Sequence, residues 1–218
     1  MLETITPSEI RSAAERALEY QRYLFRRAYG LFYLVWAAAL ALLTLTSSSI
    51  LTDLSAETEA AFVVFASTIL IGAVFLTARI FRNARRSLEL RSALRANRER
   101  RSHAHYFLLW FAAVYGVVLL ADVLLPAYSQ DLLYALLLPV PFLLYSMLGV
   151  AFPEGRPAEG ITALAVYGGT VVLNLVLSVA QLAFWVTSIA WAVTASVWLA
   201  AAFYGIWRAP AELEARRV

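Results

Sequence analysis

The spacing of the charges constrains this chain more than any other feature. No Asp, Glu, Lys or Arg occurs between Arg27 and Asp53, between Glu59 and Arg79, between Arg101 and Asp122, or between Asp131 and Glu154. A hydrocarbon core about 30 Å thick is crossed by roughly 20 apolar residues in a helix, so each gap fits one crossing. The stretch between Glu159 and Arg208 holds 48 uncharged residues (208 − 159 − 1) and fits two. With 61% hydrophobic residues, the chain exceeds the roughly 45–50% usual for a soluble domain. The expectation is an all-α polytopic integral membrane protein with six transmembrane helices. Residues 1–28 form a lead-in helix, 29–207 the six-helix domain with a basic loop at 82–102, and 208–218 a tail.

Charge placement gives the orientation. All 18 cationic residues are Arg. Five precede the first span, nine lie from Arg79 to Arg101, one is Arg156, and three follow the last span. On a six-span layout they all fall on one side, and the opposite loops carry only Asp53, Glu57, Glu59, Asp122 and Asp131. Because Arg and Lys mark the cytoplasmic side, both termini are expected in the cytoplasm. Arg in place of Lys, beside abundant Ala and Leu, suggests a GC-rich prokaryotic genome and thus a multi-pass protein of a prokaryotic plasma membrane. There is no cysteine, which removes disulfides and thiolate metal sites. The first apolar run is too long for the roughly 7–15 residues of a signal-peptide core, and reads as a retained span.

Local signals place the elements. Thr6-Pro7-Ser8-Glu9 reads as a capping box with Pro at the first helical position. Behind it Ile10, Ala14, Ala17, Leu18, Leu24 and Ala28 recur at helical spacing, opposite Arg11, Glu15, Glu19, Arg22 and Arg26. This predicts an amphipathic helix on the membrane surface or against cytoplasmic loops, turning near Gly30 into span one. The spans are expected at about 29–51, 60–81, 103–125, 132–152, 161–182 and 186–207, with span two continuing as a helix towards Asn97. Ser55 and Ser102 are the expected caps of spans two and three. Pro139 and Pro141 predict a kink in span four. No Gly or Pro separates the last two spans; their turn is placed near Gln181–Trp185, and a re-entrant arrangement stays open. FYLVWAAAL at 32–40 echoes YFLLWFAAV at 106–114, in keeping with a build from three helical hairpins.

Within the fifth span, Tyr167, Thr170, Asn174, Ser178 and Gln181 are spaced 3, 4, 4 and 3, along one side of a helix. Lipid cannot satisfy an amide, so this side faces protein or water. Thr187, Trp191, Thr194 and Trp198 on span six can face it. Two readings remain open: hydrogen bonding between helices, or the lining of a substrate path.

Other candidates are weaker. Proton- and ion-coupled transporters usually keep ionisable groups at membrane depth; here only Asp122 approaches it, near the outer edge. His103 and His105 stand at i and i+2, on different sides of a helix, so no metal site is expected. No cofactor is expected either, and an intramembrane enzyme is the third-ranked class. The basic region Arg82, Arg85, Arg86, Arg91, Arg95, Arg98, Arg100 and Arg101 fits positive-inside topology, anionic lipid or a cytoplasmic partner. No nucleic-acid-binding fold accompanies it. Gly168-Gly169, Ala37–Ala39 and Ala200–Ala202 offer small surfaces for helix approach within one chain or between two copies.

In layout alone, a cytoplasmic lead-in helix, six spans and a basic intracellular region after span two, the chain resembles small ABC exporter permease subunits. The short connection after span five departs from their usual helical excursion. The resemblance implies a membrane component of a transport assembly served by a separate cytoplasmic ATPase docked at 82–101 and the 153–160 joint, with span five lining the path. The alternative is a non-transporting scaffold or regulatory subunit, with the bilayer and other membrane subunits as partners.

Overall fold

The computed structural model describes residues 7–50, 56–89, 129–152, 155–180 and 184–215, with ten single positions between 109 and 128. All regular structure among these residues is helical. The elements are α1 (Pro7–Ile50), α2 (Ala56–Glu89), α3 (Ser129–Leu137), α4 (Pro139–Ala151), α5 (Ala158–Val179) and α6 (Phe184–Ala215). Five segments are long and apolar enough to cross a membrane: Ser12–Thr46, Ala61–Ala84, Asp131–Ala151, Ala158–Val179 and Trp185–Arg208. Of the expected third span, positions 109, 112, 113, 116, 117, 120, 121 and 124 are helical; the rest of it lies outside the described residues. So do Thr6, Ser55, Asn97, Ser102, both histidines, Trp110 and Asp122.

The expected turn at Gly30 does not occur. Helix α1 runs unbroken for 44 residues, about 66 Å at 1.5 Å per residue. Gly30 serves a helix crossing instead. A Cβ there would lie 2.8 Å from Ile206 Cγ1 and 3.2 Å from the Ala202 carbonyl oxygen, and a Cβ on Gly205 would lie 3.5 Å from Gly30 Cα. Gly30 thus lets α1 and α6 approach closely, in the most extensive pairing of the bundle. The alanine runs serve the same packing: Ala37, Ala39, Ala201 and Ala202 are buried. The apolar face of the lead-in segment is uncovered at Ala14, Ala17 and Leu18, and Arg26, placed on its solvent face by periodicity, is turned inward.

Proline interrupts the backbone hydrogen-bond ladder of the fourth crossing. Pro139 and Pro141 have no N–H to give the carbonyls of Ala135 and Leu137. The ladder breaks at Leu138, whose N–H reaches Ala135 O at 3.4 Å. The last two spans, α5 and α6, pack antiparallel, and α6 continues through Pro210 to Ala215, beyond the expected end.

The core is an aromatic cluster between α1, α5 and α6. Trp198 packs against Phe32 (centroids 5.8 Å apart), Tyr33 (5.6 Å) and Tyr167 (5.5 Å), and Tyr29 meets Phe81 at 5.1 Å and Phe152 at 5.8 Å. Such tilted and edge-on pairs add about 0.5–1.5 kcal/mol each beyond area burial. Helix α2 is peripheral: 6% of its apolar window is buried, against 39% for α1, 44% for α5 and 39% for α6. It is tied to α1 by Trp36 Nε1, which donates to Thr77 Oγ1 at 3.0 Å.

Candidate functional site

The polar residues of the fifth span lie in the seam between α5 and α6. Helix α5 begins after Pro157, which sits in extended conformation at the N-cap. Its helical repeat then turns Gly160, Ala163, Leu164, Tyr167, Thr170, Val171, Asn174 and Leu177 inward. The opposing stripe of α6 is Thr194, Ala195, Trp198, Ala201 and Ala202. Three polar side chains are fully enclosed: Thr170, Asn174 and Thr194, at 6%, 1% and 0% exposure.

Their hydrogen bonds have a direction. Thr194 Oγ1 lies 3.0 Å from the carbonyl of Ala190, to which it donates. Its single proton is thereby committed, so the contact of 2.7 Å between the two threonine oxygens is Thr170 donating to Thr194. Asn174 Nδ2 donates to the Thr170 carbonyl at 2.8 Å, while Asn174 Oδ1 is buried without a partner among the described residues. Leaving such an acceptor unsatisfied costs about 1–3 kcal/mol. One turn from Thr194, Trp198 Nε1 donates to the Ala163 carbonyl at 2.8 Å, fixing the register of the two helices. Tyr167 fills the space between Trp191 (5.9 Å) and Trp198 (5.5 Å).

The structure therefore brings Tyr167, Thr170 and Asn174 together with Thr194. Ser178 is half-buried one turn beyond Asn174, and Thr187 is half-buried near the start of α6. Gln181 lies outside the described residues. Of the basic set, Arg82 and Arg86 are exposed on the last turns of α2. The Arg85 side chain and residues Arg91, Arg95, Arg98, Arg100 and Arg101 lie outside the described residues.

One ion pair escaped the sequence reading because its members are 133 positions apart. Arg26 of α1 donates from Nε to Glu159 Oε1 at 2.9 Å, and Nη2 lies 2.9 Å from the same oxygen. The side chains are only 17% and 8% exposed. Glu159 stands in the first turn of α5, where a carboxylate also favours the helix dipole. Nearby, Arg156 folds back over the Tyr145 ring at 3.9 Å and donates to the Tyr145 carbonyl at 3.2 Å, so the residues leading into α5 are held against α4. The buried Tyr33 hydroxyl, facing Gly160, has no partner among the described residues.

Chemically the seam offers hydroxyls, one amide and backbone carbonyls, and no charge between Glu159 and Arg208. It can bind and position by hydrogen bonding. No group of three or more His, Cys, Asp or Glu occurs among the described residues to hold a metal ion. No family model matches the chain, and comparisons with curated proteins and with solved structures give no match.

Proposed function

We propose that this chain is the membrane-embedded component of a transport assembly, with six spans, both termini in the cytoplasm of a prokaryotic cell, and α5 lining the path. Energy would come from a separate ATPase, as in ABC exporter permeases, docked on the basic segment 82–101 and the 153–160 joint. The observation that carries this reading is Asn174: an amide within an apolar span, fully enclosed, with an acceptor that has no partner among the described residues. The uncharged seam supports a partner-driven rather than a proton-driven device, since proton relays are built from ionisable side chains.

A scaffold or regulatory subunit is the second reading, favoured by the mutual satisfaction of Thr170 and Thr194. Interhelical hydrogen bonds of this kind contribute about 0.6–2 kcal/mol as packing alone. Gentle detergent isolation of the tagged chain from its own host, with mass spectrometry, separates the two. A stoichiometric ATPase supports the transport reading, and Asn174→Leu should then abolish ATP-dependent flux while leaving the complex assembled. Recovery of the chain alone or with membrane subunits only, together with loss of folded protein in Asn174→Leu, supports the scaffold.

A further inference from the structure

Three arginines of α2 stand apart from the others. Arg16 donates to the Ser12 carbonyl, Arg26 to Glu159, Arg27 to the Tyr23 hydroxyl and Arg156 to the Tyr145 carbonyl. Arg208 lies over the Tyr204 ring, and Arg22 is engaged as well. Of the arginine side chains described, only Arg79, Arg82 and Arg86 meet no described protein group, and all three are exposed.

They also share one face. Thr68, Ile71, Phe75, Arg79, Arg82 and Arg86 are spaced 3, 4, 4, 3 and 4 and are all exposed, within an arc of about 80° on the helix. The buried Ala73 and Ala84 lie on the opposite side, where Thr77 and Phe81 hold α2 to Trp36 and Phe32 of α1. The outward stripe is thus apolar through Ile71 and Phe75 and cationic from Arg79 on. No Asp or Glu occurs between Glu59 and Glu89 to balance it.

Depth separates the three. Trp36 lies against Thr77 and Phe32 against Phe81, and the same antiparallel register sets Arg86 level with Arg27. Gly205 abuts Gly30, so Trp207 reaches about the level of residues 27 and 28. It is 82% exposed, and bare indoles gather at the bilayer interface. Arg86 is therefore at headgroup level. Arg79, seven residues earlier (86 − 79), is about 10 Å deeper, inside the segment Ala61–Ala84 that is apolar enough to cross. A guanidinium at that depth is costly unless it reaches an anion. Its stem can lie along apolar surface while the head rises to a phosphate, which accepts two N–H bonds from one Arg.

We propose that Arg79, Arg82 and Arg86 form a binding site for an anionic phospholipid of the leaflet at the Arg-rich end, with the lipid phosphate on the guanidinium groups and an acyl chain along Phe75 and Ile71. A protein approaching from the cytoplasm reaches Arg86 but neither Arg79 nor Phe75. A second copy docked on the same face would set these cations against each other. A phospholipid meets both halves of the stripe at once. The site goes beyond the transport reading without resting on it, and leaves 87–101 and the 153–160 joint for a cytoplasmic partner.

The cysteine-free chain takes a single bimane at Phe75→Cys or, as reference, at Leu199→Cys, which is exposed on α6 at a similar depth. Each protein, once shown to elute as a monodisperse peak, is reconstituted in phosphatidylcholine vesicles with a small fraction of doxyl-labelled phosphatidylglycerol or of doxyl-labelled phosphatidylcholine. The site predicts that the phosphatidylglycerol quencher acts at least about threefold more strongly than the phosphatidylcholine quencher at Phe75→Cys, and equally at Leu199→Cys. Arg79→Gln with Arg82→Gln should remove the excess, and Arg208→Gln, at the same end on another helix, should leave it. No excess at Phe75→Cys, the same excess at Leu199→Cys, or an excess that survives Arg79→Gln with Arg82→Gln or is lost equally in Arg208→Gln would overturn the site. So would a photoreactive probe at Phe75→Cys that cross-links, in native membranes, to another protein or a second copy rather than to lipid.

Discussion

Replacing Gly30 by alanine forces a methyl group into the crossing of α1 and α6. The added carbon would lie 2.8 Å from Ile206 Cγ1, 3.2 Å from the Ala202 carbonyl oxygen and 3.2 Å from Ile206 N. The isoleucine can turn away, but the two backbone atoms belong to a continuous helix and cannot. Overpacking of this kind costs about 1–3 kcal/mol, and alanine's better helix propensity returns about 1 kcal/mol, leaving a net loss of up to about 2 kcal/mol. For a chain of this size that is a fall in Tm of up to roughly 8 °C. Two other glycines calibrate the result. Around Gly72 nothing lies within 4 Å, so Gly72→Ala should gain about 0.5–1 kcal/mol from propensity alone. At Gly205 the nearest atom stands 3.5 Å away, an ordinary contact, and substitution there should be near neutral. Thermal unfolding of the three variants in one detergent gives the order. A Gly30→Ala protein as stable as Gly72→Ala would refute the close crossing, and with it the unbroken path of α1.

Other substitutions probe the seam and the basic end. Trp198→Phe keeps most of the ring but removes the donor to Ala163, so stability should fall by about 1–2 kcal/mol in chemical denaturation, more than for Trp36→Phe, whose partner Thr77 can turn to its own backbone. Arg26→Ala should cost more than Glu159→Gln, because it leaves a carboxylate in a largely enclosed site. A double-mutant cycle on the pair should return a coupling of about 1–3 kcal/mol that changes little between low and high salt, since enclosed pairs are poorly screened. Arg156→Ala, at an exposed joint, should change stability by less than about 1 kcal/mol in the same assay.

How far the sequence could be read depended on the range of the interaction. Crossing segments were legible because the bilayer imposes length and apolarity on each helix separately; the interrupted ladder at Pro139 and Pro141 was legible because proline acts on its own helix. The inward side of α5 was legible from the spacing of Tyr167, Thr170 and Asn174, since the helical repeat fixes a face without a partner. Gly30 was misread for the opposite reason. A glycine after a basic segment signals a turn in isolation, and only the proximity of Gly205 and Ala202, 172 or more positions away (202 − 30 = 172), turns it into a crossing point. Arg26 fell on a solvent face by periodicity because its partner Glu159 is distant in sequence.

The antiparallel register of α5 and α6, with Thr170 opposite Thr194, underlies the seam, its direction and its proposed use. It is tested most directly by pairing cysteines in the cysteine-free chain. The two hydroxyl oxygens lie 2.7 Å apart, close to the separation that sulfur atoms bridge at about 2.05 Å. Thr170→Cys with Thr194→Cys should therefore oxidise to an intramolecular disulfide in native membranes, seen as a mobility shift reversed by reductant. Thr162→Cys with Val193→Cys, both on exposed faces, should not. Failure of the first pair to close, or closure only between chains, would contradict the seam.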